Sequence, residues 1–305
     1  TNTWPAGPDM MHGRAFFGLA TLTSGVVLAA GGYSGSSSIG GLCEIYNPAT
    51  KTWTSTSPME ATADAYSFAF VALPGNKAIA AGLTTQVYDG ETGLWTTKAK
   101  MIAPRHYASA ALLRNGNVFV VGSDSDVPHS AQMYNPTTDT WSAVEGWNSR
   151  SYPGLIALPT GDALVFGGGY SSTNFAEADL YKTDTNTWEA YPAAALPKAR
   201  TGFGFTMTSA GIVVSGGRLD ATADSNTAIL YKMSDSAEYR CLGTQCVEVA
   251  KGDGVPLKEC QAVCGPPDTK YECVNSRCVV GPNGISADEC HRICRPDAES
   301  LFPME

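Results

Sequence analysis

Short apolar runs alternate with polar turns along residues 14–231, and one order of elements returns five times. Each copy opens with two runs joined by a tight turn: Arg14–Leu22 with Val26–Ala30, Tyr66–Leu73 with Lys77–Ala81, His106–Leu113 with Asn117–Val121, Tyr152–Leu158 with Asp162–Phe166, and Thr201–Thr208 with Ile212–Ser215. Runs this short, bounded by Gly, Pro, Asn and Ser, predict strands rather than helices. One or two glycines close each pair, at Gly31-Gly32, Gly82, Gly122, Gly167-Gly168 and Gly216-Gly217. Glycine there suits positive φ and close backbone approach. Further along each copy, Tyr46, Tyr88, Tyr134 and Tyr181 precede a Trp by seven residues, as in Tyr-Asn-Pro-Ala-Thr-Lys-Thr-Trp. A strand, a turn of Asn, Asp, Pro or Gly and a second strand account for that spacing.

Trp4, Trp53, Trp95, Trp141 and Trp188 follow one another at 49, 42, 46 and 47 residues, the period of an array of supersecondary units. Four strands per unit in the order Gly-Gly, Tyr, Trp resemble the kelch repeat across residues 1–237. The resemblance implies an all-β propeller. Two orphans set the blade count. Tyr231 has Glu238 where its Trp should stand, and Trp4 has no Tyr before it. The strand Thr1–Trp4 is therefore expected to complete the blade begun at Thr201, giving five blades with no open sheet edge.

The remainder is a second repeat. Cys241, Cys246, Cys260 and Cys264 match Cys273, Cys278, Cys290 and Cys294, each set reading C-x4-C…C-x3-C. The second pair of each set is one helical turn apart, and Ser286-x-x-Glu289 is a capping box before that turn. Two small ββα modules are expected, 238–265 and 271–305, joined by a linker at 266–270. The modules resemble those appended to secreted proteins of some protists, a resemblance that implies no activity. Four cysteines allow three pairings and the sequence leaves them open; hairpin-to-helix bonds are favoured because cysteines adjacent on a helix pair poorly. Cysteine density of this kind belongs to an oxidising compartment, so the expected location is extracellular, secreted or on the cell surface. No apolar run reaches the roughly 20 residues of a transmembrane helix. The start of the chain lacks the basic and apolar regions of a signal peptide, which is expected to be already removed or never present.

Composition narrows function by exclusion. Only 16% of residues are charged and the formal net charge is −9, without a Lys/Arg block, which argues against a nucleic-acid partner. No phosphate loop, Ser/His/Asp order or HExxH motif occurs. Cys43 is the ninth cysteine; its counterparts Thr85, Ala131, Ala178 and Ala228 are all small, which predicts a buried core residue. The alternative is a radical-copper oxidase, since galactose oxidase is also kelch-like, but His12, His106, His129 and His291 are few for that site. No cofactor and no catalytic residue are expected.

The connections between the second and third strands vary far more in length than the turns between the first and second, and length variation on one face marks a binding face. Just before the first strands stand Arg14, Asp64, Arg105, Arg150 and Arg200. In kelch proteins arginines at this position commonly line the channel mouth, so the resemblance implies a ring that would hold a carboxylate or sulfate, interrupted at Asp64. The plainer alternative pairs each arginine with backbone carbonyls or an acid of the neighbouring blade. Tyr170, with Tyr33, Tyr66, Tyr107, Tyr152, Phe175 and Trp147, adds aromatic surface suited to sugar stacking. The expected function is a secreted, non-enzymatic propeller that binds a glycan or an extracellular protein. The alternatives are a structural subunit of an extracellular assembly, whose partners are copies of itself, and a carbohydrate-active enzyme.

Overall fold

The computed structural model describes residues 7–35, 37–60, 66–123, 131–148, 150–220 and 223–232, and the backbone of 238–242, 245–249, 255–256, 271–274 and 277–280. Two compact units divide the chain. The first holds Thr1–Ala157, Asp162–Thr206 and Val213–Ile229; the second holds Leu158–Gly161, Met207–Ile212 and Leu230–Glu305. The fold is an all-β propeller of five blades. Among the described residues the single helical element is one 3-10 turn, Pro192–Ala194.

Four blades are four-stranded antiparallel sheets in sequential order. The first comprises Gly18–Thr21, Val27–Ala30, Cys43–Asn47 and Thr52–Thr56, and the second Ala69–Leu73, Lys77–Ala81, Thr85–Asp89 and Leu94–Thr97. The third is Ser109–Leu112, Val118–Val121, Ala131–Asn135 and Thr140–Val144, and the fourth Gly154–Ala157, Ala163–Phe166, Ala178–Lys182 and Thr187–Ala190. The fifth sheet has three described strands, Gly204–Thr208, Gly211–Ser215 and Ala228–Tyr231. The expected fourth strand, Thr1–Trp4, lies outside the described residues. The first strands of the first four blades pack side by side in succession, which makes them the inner strands. They begin later than the apolar runs suggest, at Gly18 rather than Arg14, because Phe16 turns left-handed (φ 55°) and breaks the extension.

The seven-residue spacing of Tyr and Trp is a pairing rule. Tyr46 faces Trp53, Tyr88 faces Trp95, Tyr134 faces Trp141 and Tyr181 faces Trp188 as direct cross-strand partners. Their ring centroids lie 5.0–5.2 Å apart. Such pairs contribute about 0.5–1.5 kcal/mol beyond the area they bury. The turn between them is set locally. The Asn47, Asp89 and Asn135 side chains accept the amide two residues on at 2.9 Å, an Asx turn. Lys51, Gly93, Asp139 and Asn186 then take positive φ to close it. Each later Trp also reaches back one blade. The indole N–H of Trp95, Trp141 and Trp188 donates to the carbonyls of Ser57, Ala99 and Glu145 at 3.0–3.1 Å.

In the cysteine-rich segment the backbone forms the two expected hairpins. Their registers place Cys241 opposite Cys246 and Cys273 opposite Cys278. The expected helices, the remaining four cysteines and all the pairings lie outside the described residues.

Candidate functional site

The register Gly18–Ala30–Cys43 and Cys43–Thr56 brings to one edge of a blade the start of its first strand, the end of its second, the start of its third and the end of its fourth. The arginines and the variable connections therefore share that edge, and the structure turns the guanidiniums inward. Arg14, whose side chain is fully buried, donates from Nη1 to the carbonyls of Gly31 (2.7 Å) and Leu42 (2.9 Å) and from Nη2 to Glu44. Arg150 repeats the arrangement with Gly167 (3.3 Å), Glu177 (3.1 Å) and the carboxylate of Asp179 (2.6 Å), sandwiched between the rings of Trp147 and Phe175. Arg200 donates to the Gly216 carbonyl (2.9 Å) and to the hydroxyls of Ser225 and Thr227. Arg105, 1% exposed, donates to the Gly122 carbonyl at 3.2 Å, and desolvation lowers its pKa to about 10. The partners belong to the arginine's own blade, not the neighbouring one. In the second blade, counting back from Ser67 puts Ala65 in the arginine column, one after Asp64; both fall outside the described residues. Tyr170 sits apart, 38% exposed, in the two-residue strand Gly169–Tyr170 of a small hairpin.

A second polar column escaped the sequence reading. Glu44, Gln86, Gln132 and Asp179 each stand two residues before the repeat Tyr. They fasten the connection that arrives from the preceding blade. Glu44 accepts the amides of Met11 and His12 at 2.7 and 3.1 Å; Gln86 and Gln132 accept those of Glu60 and Ile102 at 2.8 and 2.9 Å. Asp179 accepts the Trp147 indole at 2.9 Å. Burial alone would raise the Glu44 pKa, but the Met11 amide, the Arg14 guanidinium and the His12 ring outweigh it and hold the carboxyl below its usual range. The signal was a single polar residue inside an apolar strand.

Two residues beyond each arginine lies a further repeated feature. Phe16, Ser67, Tyr107, Tyr152 and Gly202 all take positive φ, between 50° and 61°. For bulky residues this conformation is rare and costs roughly 1–3 kcal/mol each unless the surroundings hold it. Here a relay of peptide hydrogen bonds does so: Ser67 N–H to Phe16 C=O (2.8 Å), Tyr107 to Ser67 (2.8 Å) and Tyr152 to Tyr107 (2.7 Å). The side chains meet over the centre. Tyr107 and Tyr152 rings lie 4.6 Å apart, and Phe16 of the first blade touches Tyr152 of the fourth at 6.4 Å. Tyr33, Tyr66 and His106 continue the chain of rings at 6.0 and 6.3 Å, and His106 returns to Tyr107 at 6.1 Å. Phe16 is 56% exposed. The mouth of the propeller thus presents aromatic rings, with the guanidiniums behind them.

Against known proteins, this repeat architecture finds kelch-repeat relatives. Kelch-like protein 21 of Mus musculus is 30% identical over 110 residues, 35% of this chain and 18% of that protein. An F-box/kelch-repeat protein of Arabidopsis thaliana is 28% identical over 118 residues, 37% of this chain and 31% of its own length. The repeats of the blades are similar to kelch repeats. Kelch-like protein 30 of Homo sapiens, 29% identical over 123 residues, covers 38% of the chain and 20% of itself. The chain spans 18% to 31% of the length of these kelch relatives, and no protein-family model matches it.

Cys43 is the buried core residue expected of it, in one cluster with Leu28, Ala30 and Met59; its thiol donates to the Gly41 carbonyl at 3.1 Å, and burial pushes its pKa up. Among the described residues no three His, Cys, Asp or Glu side chains gather as a metal site.

Proposed function

We propose that this chain is a non-enzymatic, protein-binding propeller that works outside the cell and meets its partner on the aromatic mouth. The observation that carries the reading is the cluster Phe16, Tyr107 and Tyr152: three aromatic residues held in an unfavourable backbone conformation, the Phe16 ring exposed and the two tyrosines half-buried. A fold that only needed to close its centre would place glycine in this column, as the fifth blade does with Gly202. Similarity to kelch-like proteins supports a protein as the partner class. Location outside the cell rests on the cysteine-dense segment.

Site-directed photo-crosslinking tests the reading. A benzophenone side chain at Phe16 samples the mouth, and one at Leu94, 58% exposed at the opposite edge of its blade, samples the other face. The same adduct, formed in extracellular fluid from Phe16 and not from Leu94, is the expected result. Adducts from Leu94 alone would move the binding surface to the other face.

Stacking of a sugar on the same rings is a second reading, favoured by the exposed ring of Tyr170 beside this edge.

A further inference from the structure

The arginine column suggested an anionic partner. Burial reverses that expectation. Arg14 and Arg150 are matched by Glu44 and Asp179, and Arg105 and Arg200 are only 1% and 2% exposed. None of the four presents its charge at the mouth. Among the described residues, what remains exposed on the same connections leans acidic: Asp9, Glu60, Glu145, Glu177, Asp220 and Asp224 against Lys100, Lys198 and Arg218. The chain as a whole carries −9. Half-buried aromatic faces on an edge whose exposed charges lean acidic are complemented by a cation that can lie flat on a ring.

We infer that the mouth formed by Phe16, Tyr107 and Tyr152 docks an arginine-bearing cationic segment of the partner protein. The inference rests on the reading of this face as a protein-binding surface and names the partner's chemistry. Arginine fits better than lysine because its planar guanidinium stacks on aromatic faces and is weakly hydrated. The negative charge of the chain raises the encounter rate, and the rings hold the docked side chain. Tyr66 and His106 extend the ring surface, so a second guanidinium a few residues along the segment has somewhere to rest.

The test uses the full chain and three probes: a dodecapeptide of alternating glycine and arginine, the matching glycine–glutamate peptide, and maltohexaose. Titration calorimetry should show binding of the arginine peptide alone, weakened by added salt. Proton NMR of the bound peptide should show its arginine δ-methylene signals shifted upfield by the rings. That measurement needs no variant and so survives any folding problem at these strained positions. Tyr107→Leu with Tyr152→Leu should weaken binding about tenfold, whereas Tyr152→Phe, which keeps a ring, should leave it within about twofold. Binding of the glutamate peptide, binding of the sugar in place of the arginine peptide, or arginine-peptide binding without ring-induced shifts would each overturn the inference. The wider reading stands or falls separately, on the crosslinks from Phe16.

Discussion

The second blade and the blades around it solve the same problem differently. In the first, third, fourth and fifth blades the connection between second and third strands runs through 31–42, 122–130, 167–177 and 216–227; in the second it is the three residues 82–84. The bases of the first, second, fourth and fifth blades show the same backbone hydrogen bond: Gly31 to Leu42, Gly82 to Thr84, Gly167 to Glu177 and Gly216 to Thr227, at 3.0–3.1 Å. The blades with long connections add an arginine at that base; the short one has Ala65 in the column. A long loop arriving at a buried edge brings carbonyls that must find donors, and a guanidinium supplies five from one side chain. The arginine is a loop staple, and a three-residue connection needs none.

The sharpest break in this comparison comes from Arg14→Met. It strands the buried Glu44 carboxylate, and removing one partner of such a pair costs about 3–5 kcal/mol. Denaturant titration should show that loss, and Glu44→Leu added to the same chain should restore most of it. Arg200→Met, whose partners are neutral, should cost clearly less. An equal loss at both sites would mean the arginines act through packing, not charge.

Glu44→Gln should cost about 2 kcal/mol at neutral pH, the worth of hydrogen bonds to a charged group. The sign with pH follows from the lowered carboxyl. Its stabilisation is complete above the usual value of 4.5 and fades as acid titrates the folded state below it. The gap between wild type and Glu44→Gln should therefore narrow on acidification below that value. A gap constant down to pH 2 would remove the carboxylate from the account.

Lengthening 82–84 by six glycine and serine residues imitates the other blades without their arginine. Loop-closure entropy alone predicts a loss of about 1 kcal/mol for that tripling. Ala65→Arg in the lengthened chain should recover part of it, and in the unlengthened chain should gain nothing. Melting curves of the four proteins decide. The smallest effect is chemical: native protein should leave Cys43 unalkylated, and unreduced denatured protein should take one label, the other eight cysteines being held in four disulfides.

The repeat of Tyr, Trp and Gly was legible because each carries a geometric demand, a cross-strand ring pair or a positive φ, that few other residues meet. The arginines were legible as a column; of the two readings open in the sequence, an anion-holding ring or pairing with backbone carbonyls, the structure shows carbonyls consuming the guanidiniums, with the acids drawn from their own blade. Glu44, Gln132 and Asp179 were visible as polar breaks in apolar strands, but their partners arrive from another blade. Least legible were Phe16, Tyr107 and Tyr152. Bulky residues are the last expected to turn left-handed, and only Gly202 in the same column hints at it. The register of Ser67 and Ala69 aligns Ala65, not Asp64, with the arginines, an offset of one that no sequence pattern displays.

The direction of the hydrogen bonds between blades has a consequence for how the chain is made. In both repeated series, the indoles of Trp95, Trp141 and Trp188 and the amides of Ser67, Tyr107 and Tyr152, the donor belongs to the later blade and the acceptor to the earlier one. On a ribosome, each emerging blade finds its acceptor already synthesised. Contacts of this kind stay between neighbours, as in other repeat arrays, so order can spread from the first residues towards the last as translation proceeds. The first of the five blades gains its other flank only once the fifth has been made.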